Sequence, residues 1–64
     1  MQDYEKEIGC LFRQNNRSTL VLVVDIRNAI LNEVNYNYIV FEYCDGERYS
    51  LDTEGFYKQF AKVS

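Results

Sequence analysis

Apolar and polar residues along this 64-residue chain alternate mostly at a period of two, and that pattern predicts strands. The clearest run is TLVLVVDI, residues 19–26, rich in β-branched side chains and preceded by polar turn chemistry. Leu20, Leu22, Val24 and Ile26 form its predicted core face. Thr19, Val21, Val23 and Asp25 form the other, to be covered in part by another strand or by the N-terminal segment. Upstream, Gly9 breaks the pattern and residues 10–13 predict a short first strand. The polar run Gln14-Asn15-Asn16-Arg17-Ser18 then predicts a turn, because asparagine tolerates the left-handed region.

Residues 38–51 predict a hairpin around Asp45-Gly46. A two-residue loop would mix polar and apolar residues on both faces. A three-residue loop, Cys44-Asp45-Gly46, pairs Tyr43 with Glu47, Phe41 with Tyr49 and Ile39 with Leu51, which gathers the apolar residues on one face. A slip of one residue inverts every side chain, so the pattern selects the three-residue loop with a left-handed Gly46. Asp52 then suits a helix N-cap, and Phe56 and Phe60 share one face of a short helical turn. Residues 61–63 predict a closing strand. The segment 27–37 is ambiguous: Ile30, Leu31 and Val34 have helical spacing, whereas four asparagines suggest a loop or a bulged strand, and the favoured reading is a loop that drops one or two apolar residues onto the core. Residues 1–8 read as a polar leader that lays Tyr4 and Ile8 on the body. Five strands with a helical turn before the last predict one domain, residues 1–64, folded as a small SH3-like five-stranded barrel whose closure would remove exposed edges.

Charge and composition narrow the chemistry. The net charge of −3 comes from dispersed acids and bases, not the concentrated positive surface that phosphate backbones require. Cys10 and Cys44 are far apart and there is no histidine, so no zinc site is predicted and the thiols are expected to be free. A polar start and the lack of a long apolar run predict a cytoplasmic protein without a membrane segment. No nucleophile has a base arranged beside it, Cys44 has acidic neighbours, and no glycine-rich phosphate loop occurs. The expectation is a protein that is not an enzyme and has no catalytic residue, cofactor or metal.

Gly9-x-x-Phe12, the strand 20–26, the hairpin 38–51 and the ending Phe56-Tyr57-Lys58-Gln59-Phe60-Ala61-Lys62-Val63 resemble small SH3-like barrel proteins of unknown function carried by phages and prophages. The resemblance spans nearly the whole chain, and its matched positions are those barrel packing dictates. It implies a mobile-element accessory protein and no chemistry.

Six tyrosines are many for this length, and tyrosine supplies large contact area at little entropic cost. The residues expected to bind a partner are Tyr36, Tyr38 and Tyr57 with the acids Glu33, Glu42 and Asp45. The partner expected is a host or phage protein, for instance a basic one inhibited by an acidic surface. Two other readings stay open: a nucleic-acid binder using Arg13, Arg17, Arg27 and Arg48 with stacking tyrosines, and a homodimer formed through the second face of residues 19–25.

Overall fold

The computed structural model describes residues 4–63. Five antiparallel strands form one sheet in the order β4-β3-β2-β1-β5. They are β1 (Leu11–Gln14), β2 (Leu20–Leu31), β3 (Val34–Tyr43), β4 (Arg48–Asp52) and β5 (Phe60–Lys62). A seven-residue helix, α1 (Thr53–Gln59), joins β4 to β5, and a 3₁₀ turn at Glu5–Glu7 precedes β1. The sheet is not closed into a barrel: β4 and β5 are its two edges and do not pair with each other. Helix α1 packs against both edge strands and β3.

The sheet is nevertheless strongly curled. In a flat sheet β3 and β5, three strand spacings apart, would be separated by about 14 Å. The rings of Phe41 on β3 and Phe60 on β5 instead lie 5.1 Å apart between centroids. Inside the curl sit Phe12, Val21, Val23, Ile39, Phe41, Phe56 and Phe60, all buried. Phe56 and Phe60 point inward from one face of α1 and its C-cap, as their spacing predicts.

The hairpin β3–β4 has the predicted register, with Phe41 opposite Tyr49 and Ile39 opposite Leu51. Gly46 has φ +91°, the Tyr43 N–H donates to the Glu47 carbonyl, and Asp45 Oδ1 accepts from the Glu47 N–H to lock the turn. The first turn also follows expectation, with Asn16 left-handed at φ 65°. Its neighbour Asn15 donates through its backbone N–H to the Gln59 carbonyl and through Nδ2 to that of Lys58. Two of the orphan carbonyls at the end of α1 are thereby satisfied. Asp52 stands at the N-cap position, but its side chain makes no capping bond.

Three further expectations are corrected. First, the core face of β2 is inverted near its start: Val21 and Val23 are buried while Leu20 and Leu22 are exposed. Apolar residues occupy both faces of this run, so alternation cannot choose between them. Pairing chooses, with Val21 opposite Phe12 and Val23 opposite Phe41. A register shift at Val24 then returns Ile26 to the core side, opposite Ile39.

Second, residues 27–37 are neither loop nor helix. They continue β2 and β3 into a long hairpin closed by the two-residue turn Asn32-Glu33. Both turn residues have positive φ, 50° and 67°, which defines a type I′ turn matched to strand twist. Ile30, Leu31 and Val34 are exposed and do not reach the core. Glu33 is an unusual left-handed residue, so Glu33→Gly is expected to stabilise the fold by about 0.5–1 kcal/mol, seen as a higher urea midpoint.

Third, the described part of the leader is structural. Ile8 is exposed, Tyr4 is half-buried with its ring 6.3 Å from that of Tyr57, and the buried residue is Glu7. Residues 1–3 lie outside the described residues.

Candidate functional site

The curl leaves the sheet with a packed inner face and an open outer one. Strand alternation and the register put Leu31, Ala29, Arg27 and Asp25 of β2 on the outer face, opposite Val34, Tyr36, Tyr38 and Val40 of β3. Leu22, Leu20 and Leu11 continue it toward β1. Most of the exposed large hydrophobic residues lie on this face.

The hairpin tip gathers several of them. Fractional exposure is 55 % at Leu31, 48 % at Val34 and 40 % at Tyr36, with Ile30 at 70 % on the opposite face. Beyond Val23 the hairpin has only two strands. β1 stops pairing beside Val23, where its neighbour Cys10 accepts from the Val23 N–H, and β4 pairs only as far as Tyr38. Among the described residues no third strand pairs with the tip, and its apolar residues are exposed.

Behind the tip, Arg27, Ala29, Tyr38, Val40, Arg48 and Ser50 line an open depression of about 610 Å³. Tyr36 and Tyr38 stand side by side, ring centroids 6.5 Å apart. Charges around them are mutually compensated: Arg27 lies 3.3 Å from Asp25 and Arg48 lies 2.8 Å from Glu42. Such exposed pairs contribute little to stability. They do cancel the positive field that a polyanion would need.

Of the residues singled out in the sequence, Glu33, Tyr36, Tyr38 and Glu42 lie along this one hairpin, with Glu33 in its turn. Asp45 lies at the opposite end of β3, engaged in the β3–β4 turn. Tyr57 is placed apart, on α1. Its hydroxyl donates to Glu7 Oε2 at 2.6 Å, and Lys62 Nζ donates to Glu7 Oε1 at 2.9 Å. The bonds from Lys62 and Tyr57 hold the Glu7 carboxyl below its ordinary range despite burial. Burial, then the bond to Glu7, pushes the Tyr57 phenol up. This clasp joins the 3₁₀ turn, α1 and β5.

Leu31 and Val34 lie on the surface, where the asparagine-rich pattern predicts a loop that drops apolar residues onto the core. The signal that could have found them is Asn32, a residue that readily accepts positive φ between two β-branched or aliphatic runs.

Comparison with family models, curated proteins and solved structures gives no match to this chain. No helix among the described residues is long and apolar enough to cross a membrane.

Proposed function

We propose that this chain is a non-enzymatic protein-interaction module whose contact surface is the outer face of the β2–β3 hairpin. The observation that carries the reading is the projecting hairpin tip, with Leu31, Val34 and Tyr36 exposed together beside Tyr38. Contiguous apolar surface rimmed by charge marks interaction sites, and tyrosine is enriched in their centres. Glu33 in the turn and Glu42 behind it supply the rim. Tyr57 belongs to the clasp in this reading and Asp45 to its turn, so neither makes the main contact.

The strand order and the helix before β5 support an open variant of the SH3-like plan. With the phage-borne resemblance, they suggest an accessory protein that binds and modulates a host protein. The paired state of Arg27 and Arg48 weighs against a nucleic-acid partner.

The double variant Tyr36→Ala/Tyr38→Ala tests the reading. Both rings lie outside the core cluster, so the melting temperature is expected to stay within a few degrees of wild type. Proteins captured from bacterial lysate by the immobilised wild type should be lost by at least about tenfold, which corresponds to roughly 1.4 kcal/mol. Equal capture by a folded double variant would sink the proposal.

A further inference from the structure

Among the described residues, no second strand pairs with β2 beyond the register shift, so along residues 25–31 β3 is its one strand partner. Its hydrogen-bonding pattern follows from the turn. A two-residue hairpin closes on a bonded pair, Leu31 with Val34, so Ala29 bonds Tyr36, Arg27 bonds Tyr38 and Asp25 bonds Val40. The N–H and C=O groups of Ile26, Asn28 and Ile30 therefore point away from β3, toward the open edge. The contact of the Ile26 N–H with Asp25 Oδ1 at 2.9 Å agrees with that direction. A side chain there stands in for an absent strand.

We propose that this edge pairs with the same edge of a second copy, antiparallel about a two-fold axis at Asn28. The choice of occupant rests on self-complementarity, which an isologous contact demands. Centred on Arg27, the pairing would set Arg27 opposite the partner's Arg27. Centred on Ala29, it would set Asp25 opposite the partner's Glu33 and run into the turn. Like charges directly opposite are destabilising.

Centred on Asn28, Asp25 meets the partner's Leu31, Ile26 meets the partner's Ile30, and Arg27 meets the partner's Ala29. No like charges face each other. This register uses the whole free edge of both copies and ends where β1 begins to pair, near Val23. It forms about six backbone hydrogen bonds, with the partner's Ile30 carbonyl replacing Asp25 as acceptor for the Ile26 N–H. It also covers Ile30, the most exposed large hydrophobic residue among those described, with Ile26 of the partner.

Pairing at the edge leaves the outer faces free and joins them into one surface with two sets of Tyr36 and Tyr38. The edge and the outer face are distinct, so the dimer stands or falls independently of the binding role proposed for that face.

Sedimentation velocity over a concentration series reaching the millimolar range tests the pairing. Wild type should shift reversibly from monomer to dimer. Ile30→Lys places a charge opposite the partner's Ile26 and should raise the dissociation constant about tenfold or more, with the circular dichroism and melting temperature unchanged. In a Cys44→Ser background, Asn28→Cys should oxidise to a dimer linked through residue 28 of both copies, as read by peptide mass spectrometry. A wild type that stays monomeric throughout would overturn the proposal. So would a dimer indifferent to Ile30→Lys, or one whose linkage does not run through residue 28.

Discussion

Phe56→Ala should leave the chain largely unfolded at 25 °C. Phe56 is fully buried, and its ring meets those of Phe12, Phe41 and Phe60 at centroid distances of 4.8, 5.4 and 4.8 Å. It links β1, β3 and the start of β5 across a sheet that does not close on itself. Truncating a buried phenylalanine to alanine costs about 3–5 kcal/mol. A domain of this length has a total stability of about 3–10 kcal/mol, and small size places it toward the lower end. The single substitution thus removes most or all of the margin.

The cost is concentrated further because α1 cannot stand alone. Helices this short are unstable in water without tertiary packing, and Phe56 is the buried residue that anchors α1. Losing it should free β5, which is held by three residue pairs to β1. Collapsed amide dispersion in the proton–nitrogen spectrum and a missing thermal transition are the expected signs. Phe56→Leu keeps most of the volume and should still melt cooperatively, at lower temperature. A cooperative melt of Phe56→Ala within a few degrees of wild type would show that the aromatic cluster does not hold the curl.

Elements whose geometry is set by a few neighbouring residues were the ones legible in the sequence. The Asp45-Gly46 turn, the register Phe41–Tyr49 and the inward pair Phe56 and Phe60 all appear as read. What escaped was decided at a distance. Residues 20–24 are all apolar, so only Phe12 and Phe41 across the sheet determine that Val21 and Val23 go in. The hairpin tip was hidden because its I′ turn uses Glu33 where glycine would have announced it. Closure escaped too, because whether β4 meets β5 depends on the whole sheet: in the fold α1 runs from one edge strand to the other and packs on β3. As for the candidate surface, Tyr36 and Tyr38 were visible as surplus tyrosines, whereas Leu31 and Val34 looked like core. The role of Tyr57 depends on Glu7, fifty residues away, and local pattern carries no trace of such a pair.

Glu7→Ala is expected to cost about 2–3 kcal/mol, less than Phe56→Ala but still a large share of the stability. Glu7 is 5 % exposed and is the one buried charged residue among those described. Its two oxygens accept from Tyr57 and Lys62, and charge-assisted bonds of this kind contribute about 1.5–3 kcal/mol. For a domain of this size that loss lowers the melting temperature by roughly 10–20 °C.

The same clasp sets the pH profile. Because the folded-state carboxyl lies below its ordinary 4.5, its contribution is complete above that pH. It is lost as pH falls through the depressed value. Lys62 is shifted up from 10.5, first by its bond to Glu7, so its share is present below that pH and fades as pH rises past it. Tyr57 is shifted up from 10.0 and likewise opposes unfolding until the unfolded phenol ionises.

Urea midpoints measured against pH should give wild type a plateau with an acid and an alkaline limb. Glu7→Ala should lie well below that plateau and converge on wild type as the carboxyl protonates. Glu7→Gln keeps an acceptor for the Tyr57 hydroxyl while removing the charge, and should fall between the two on the plateau. A constant gap between wild type and Glu7→Ala down through the acid limb would mean that the carboxylate charge contributes nothing, leaving packing alone to explain the loss.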